Sequence, residues 1–108
     1  MDSEKIWDKI ITILKEAPIE VETVPSNKKV PLWFNADIED GVLYVYNSIY
    51  HRPSTRMSQK RKISKSDFDT VYAYYHRWAN GERHLRQVVS RLSMNTAYIF
   101  GLISRFEK

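Results

Sequence analysis

Near the start of the chain apolar residues recur at intervals of three and four: Ile6, Trp7, Ile10, Ile13, Leu14 and Ala17. That is the period of one helix face. An amphipathic helix is predicted from Ser3, whose hydroxyl can cap its first turn, to Pro18, which cannot continue it. From Ile19 the period drops to two, and Ile19, Val21 and Thr23 alternate with Glu20, Glu22 and Val24 as a short strand would, before the turn-forming Pro25-Ser26-Asn27. Residues 30–38 and 42–46 are β-branched and aromatic runs on either side of Glu39-Asp40-Gly41. Asp-Gly between such runs predicts a hairpin, because Gly tolerates positive φ. Three short strands in a meander follow, with Pro31 placing the first part of the middle run at an edge or bulge.

Residues 51–62 (HRPSTRMSQKRK) carry no period and read as an exposed basic loop. Beyond it Ser64 and Ser66 each stand three residues before an Asp, a capping-box-like arrangement. Phe68, Val71, Tyr72, Tyr75, Trp78 and Ala79 then form one helical stripe, ended by Asn80-Gly81. The remainder divides into a short helix with Leu85, Val88, Val89 and Leu92, a break at Ser93-Met94-Asn95, and a last helix with Ala97, Tyr98, Ile99, Leu102, Ile103 and Phe106. The expected architecture is α+β: an N-terminal helix, a three-stranded antiparallel meander and a C-terminal three-helix unit packed on the sheet. Residues 1–108 are expected to form a single small globular domain.

Composition supports a packed core, since 43% of the 108 residues are hydrophobic and 13% are aromatic. The chain has no cysteine, which excludes disulfides, thiolate zinc sites and a Cys nucleophile, and fits a reducing cytoplasm. The apolar stretch 10–14 is too short to span a membrane, and the acidic start Met1-Asp2-Ser3-Glu4 has the wrong charge for a signal peptide. A soluble, cytoplasmic protein is the expectation. Charge changes the picture more. Residues 1–50 hold five Lys/Arg against nine Asp/Glu, whereas residues 51–108 hold twelve against four. A basic half on a small domain is the electrostatic footprint expected of a protein that meets phosphates.

The first candidate surface is the basic loop. Arg52, Arg56, Lys60, Arg61 and Lys62, interleaved with Ser54, Thr55, Ser58 and Gln59, supply positive field and hydrogen-bond donors to backbone phosphates without reading sequence. The alternative is a solvated loop whose charge pairs with the acidic first half. Tyr44, Tyr46 and Tyr50 lie just upstream, placed either to stack on bases from an open sheet face or to pack in the core with only the hydroxyl exposed.

The second candidate spans residues 85–104. Val88, Leu92, Met94, Ile99 and Leu102 stand where the core positions of a helix-turn-helix belong, and in that spacing the segment resembles the helix-turn-helix family of DNA-binding motifs. Val89 stands where that pattern wants a small residue, and Ser93 where it wants glycine. The resemblance implies a groove-facing surface of Asn95, Thr96, Phe100, Gly101, Ser104 and Arg105, with Arg83, Arg86 and Arg91 nearer the phosphates. Only Asn95 and Arg105 there match base edges. The alternative is that residues 97–106, apolar nearly all round, form a buried central helix or a dimer face.

Metal chemistry finds little support. His51, His76 and His84 are scattered and each stands beside an arginine, while Asp37, Glu39 and Asp40 flank a hairpin turn where turn formation and edge protection account for them. One enzyme class survives, a metal-free ribonuclease using His51, Tyr50, Arg52 and Arg56 as acid, base and phosphate-stabilising groups. Small bacterial toxins of that type are similarly short, basic and tyrosine-containing. The basic stretch running into Arg61-Lys62-Ile63-Ser64 and Asp67-Phe68, followed by Asn95-Thr96-Ala97-Tyr98-Ile99, resembles small uncharacterised bacterial proteins carried on mobile elements such as prophages or integron cassettes. That resemblance implies a bacterial origin and an adaptor, regulatory or nucleic-acid-related role.

The expected function is therefore nucleic-acid binding, to DNA or RNA, through Arg52, Arg56, Lys60, Arg61, Lys62, Arg83, Arg86, Arg91, Asn95 and Arg105. Neither a cofactor, a metal nor a membrane is expected. The competing readings are a protein-interaction or homodimeric adaptor whose contact is formed by Trp33, Phe34, Tyr44 and Phe100, and the metal-free ribonuclease.

Overall fold

Asp2, rather than Ser3, caps the first helix: its carboxylate accepts the Lys5 N–H at 2.9 Å. The computed structural model describes residues 2–25 and 29–107, so Ser26 and Asn27 of the expected turn lie outside the described residues. Helix α1 (Ser3–Glu16) buries Ile6, Ile10 and Leu14, one residue per turn, and stops short of Pro18.

Strands β1 (Ile19–Glu22), β2 (Trp33–Glu39) and β3 (Val42–Asn47) follow in an antiparallel meander. Asp40 and Gly41 close the β2–β3 hairpin with φ of 51° and 76°, the pair of positive angles that a type I′ turn needs. The strand after Pro31 begins only at Trp33, which leaves the proline outside the ladder.

The meander has a fourth member that the reading of 51–62 as one loop missed. Strand β4 (Arg61–Ile63) pairs antiparallel with β3, giving the order β1-β2-β3-β4. Three residues are too few for alternation to be visible in sequence. What anchors the strand is Ile63, buried opposite Leu43.

Register divides the sheet into two faces. Val21, Phe34, Ala36, Leu43, Val45 and Ile63 point into the core, and their neighbours Glu20, Asn35, Asp37, Tyr44, Tyr46 and Lys62 occupy the outer face. All the helices contribute to the same core cluster as the inner face. Helix α2 (Lys65–Ala79) is capped by Ser64, whose hydroxyl accepts the Asp67 N–H at 3.1 Å, and it buries Phe68, Val71 and Trp78 before Gly81 turns the chain at φ 121°. Helices α3 (Leu85–Leu92) and α4 (Thr96–Phe106) complete the fold. Among the described residues no helix is long and apolar enough to cross a membrane.

Candidate nucleic-acid interface

Because β4 is an edge strand paired only with β3, its other side meets the turn between α3 and α4. Arg61, Lys62, Met94 and Asn95 line an open cleft of about 320 Å³ there. The Arg61 guanidinium donates to the Met94 carbonyl at 3.2 Å and lies over the Tyr98 ring, while Lys62 is exposed. Asn95 holds the turn in place: its amide donates to Asp67 at 3.1 Å and its N–H to the Ser93 hydroxyl at 3.0 Å. Arg91, in the last turn of α3, is exposed three residues before Met94.

The other expected cations do not join this group. Lys60 forms an ion pair with Glu39 above the Tyr44 ring, and that hydrogen bond raises its pKa. Arg52 folds back to donate to the His51 carbonyl at 3.0 Å, and Arg56 is exposed. Arg83 stacks over Trp78, and Arg86, half-buried, donates to the Val24 carbonyl at 2.9 Å beneath a lowered pKa that burial imposes. Arg105 lies beyond β1, in a second cleft with Glu20, Glu22, Trp33 and Ser104. Among the described residues Lys60 alone of these cations has a carboxylate partner, although Glu4 and Glu20 of the acidic first half also pair with Lys65 and His51 of the second.

The helix-turn-helix register does not survive folding. Val88, Leu92 and Met94, expected in the core, are 38%, 54% and 85% exposed, whereas Val89 is buried. On the supposed reading helix Thr96, Phe100 and Gly101 are buried instead of groove-facing. The cause is packing: Phe100 sits edge-on to Tyr75 and 4.9 Å from Trp78 under the Arg86 guanidinium, so α4 is the central helix of the core. Burial of Phe100 and Phe34 equally removes them from the apolar contact expected of an adaptor. Trp33 is covered by His51 and Tyr44 by Lys60.

One constellation went unread in the sequence. Glu20, on the outer face of β1, accepts the Ser48 hydroxyl, the Ile49 N–H at 3.0 Å, the Tyr50 N–H at 3.3 Å and His51 Nδ1 at 2.6 Å. Burial on its own would raise the pKa of this carboxyl, yet the Ser48, His51, Ile49 and Tyr50 donors together pull it down to about 2. The His51 ring lies flat on Trp33, with centroids 4.0 Å apart and planes 16° off parallel. Glu20 and His51 are 31 residues apart, and nothing in their local sequence couples them. Among the described residues no group of three or more His, Cys, Asp or Glu could hold a metal ion.

Searches against protein-family models, curated proteins and solved structures find no match for this chain.

Proposed function

We propose that the protein binds the backbone of a nucleic acid, DNA or RNA, at the β4 edge, with Arg61, Lys62 and Arg91 as its phosphate contacts. The observation that carries this reading is the cleft in which Arg61 and Lys62 stand together without a carboxylate partner among the described residues. Unpaired cations at one edge attract a polyanion by counterion release, which requires no sequence readout. Asn95 supports the cleft rather than contacting a base, and Arg86 serves the core. The absence of cysteine fits a reducing, cytoplasmic setting for such a role.

A second reading has its own observation. Val88, Leu92 and Met94 are exposed beside the same cations, as an adaptor's contact with another protein requires. Salt separates the two. Binding of a labelled single-stranded oligonucleotide, followed by fluorescence anisotropy across a salt series, should weaken steeply for the native protein. The Arg61→Ala, Lys62→Ala, Arg91→Ala triple variant should reduce the slope of log affinity against log salt by roughly 2 to 3 units. An unchanged slope rejects the assignment.

A further inference from the structure

We propose a second, catalytic site on the outer face of the sheet, in which Glu20 and Trp33 hold the imidazole of His51 as an acid–base group for cleavage of RNA phosphodiesters. It goes beyond the backbone-binding reading and uses different residues, so either can fail alone.

The geometry around His51 is that of a positioned imidazole. The Glu20 carboxylate is ionised and has no proton to give, so the 2.6 Å contact requires Nδ1 to carry the N–H. In the neutral ring Nε2 is then the proton acceptor, and it makes no hydrogen bond among the described residues on a side chain that is 46% exposed. Trp33 fixes the ring plane from one side, and the Ser48 hydroxyl accepts the His51 backbone N–H at 2.9 Å. The loop does not need the imidazole to satisfy Glu20, which already receives the Ser48 hydroxyl and two backbone N–H groups. A carboxylate on one ring nitrogen with the other open to solvent is the arrangement that sets tautomer and orientation in acid–base catalysis.

The surroundings suit an anionic substrate. Glu20 and Trp33, the two residues that hold the ring, also line a cleft of about 180 Å³ with Glu22, Ser104 and Arg105, the last of which supplies a positive charge there. The Arg52 guanidinium stands next in the chain, engaged only with backbone carbonyls. Arg52 adjoins the imidazole in the chain and Arg105 shares a cleft with the two residues that hold the ring, and guanidinium charge of this kind stabilises a pentacovalent phosphorus.

The step needs no co-reactant. Nε2 takes the proton of the 2′-hydroxyl as that oxygen bonds to the adjacent phosphorus. The P–O5′ bond breaks, the departing 5′-oxygen collects a proton from solvent, and the imidazolium returns its own. The products are a 2′,3′-cyclic phosphate and a free 5′-hydroxyl.

A dinucleoside monophosphate, uridylyl-(3′–5′)-adenosine, tests the step without calling on the β4 edge, because its single phosphate cannot occupy both sites at once. With a chelator present, the full-length protein should release uridine 2′,3′-cyclic phosphate and adenosine, and should leave the 2′-deoxy analogue intact. His51→Asn should slow cleavage about 100-fold or more with an unchanged circular dichroism spectrum. Absence of cyclic product from the native protein overturns the proposal, as does cleavage that survives in His51→Asn or that ignores the 2′-hydroxyl. Should His51→Asn not fold, the ¹⁵N spectrum of the native histidines decides. An Nδ1–H tautomer at His51 is the expected result, and an Nε2–H tautomer refutes the positioning by Glu20.

Discussion

Gly101 of α4 packs so closely on β1 that a methyl group in place of its hydrogen would come within 2.6 Å of the Glu22 carbonyl oxygen and 3.0 Å of the Phe34 ring. An Ala in mid-helix ordinarily stabilises by about 1 kcal/mol relative to Gly. Here the obstacle is backbone, which cannot rotate away. Gly101→Ala should therefore destabilise the protein by roughly 1 to 3 kcal/mol, the range typical of overpacking. A urea midpoint that rises for Gly101→Ala would show that α4 does not approach the sheet this tightly.

Arg86 illustrates how a cation can belong to the core. It spans from the Val24 carbonyl to the faces of Trp78 and Phe100, with its guanidinium carbon 5.1 Å and 4.7 Å from the two ring centroids. Losing that hydrogen bond and both cation–π contacts in Arg86→Ala should cost about 2 kcal/mol. Arg86→Lys should recover little, since an ammonium lacks the planar fork that bonds and stacks at once. Denaturant unfolding measures both variants. The salt dependence of oligonucleotide binding should stay at its native slope in Arg86→Ala, which removes the charge; a slope reduced by about one unit would make Arg86 a phosphate contact.

Glu20 makes stability depend on pH in a defined window. Its carboxyl titrates at about 2 in the fold against 4.5 when free, so the folded state favours the ionised form. The contribution is complete above about 4.5 and is lost as pH falls toward 2. Allowing for solvent screening at this partly exposed face of β1, its size is on the order of 1 to 3 kcal/mol. Melting temperatures taken from neutral pH down through this range should fall for the native protein and fall less for Glu20→Gln. Parallel curves for the two proteins would mean that the Ser48, Ile49, Tyr50 and His51 donors do not act on this carboxylate.

Much of the architecture was legible because its signals are local. Ile6, Ile10 and Leu14 repeat at the pitch of a helix, Ser64 precedes Asp67 by one helical turn, and Asp40-Gly41 adopts the backbone angles that its residue types allow. The candidate sites were legible only in residue type. Arg61 and Lys62 were visible as charges, but the strand that carries them depends on Ile63 reaching Leu43 across the sheet. Val88 and Val89 are indistinguishable in hydropathy, and the frame that buries Val89 and exposes Val88 is decided by the helices packed against α3.

Residue order alone was enough for the mixed α+β class, the hairpin, the helices and the charge imbalance, since each follows from neighbours a few positions apart. Tertiary contacts decided the rest: that α4 lies in the core, that Arg86 is enclosed while Arg61 and Lys62 stay open, and that Glu20 meets His51. Burial and ion pairing depend on which distant side chains share a space, and that is a property of the packed chain rather than of any stretch within it.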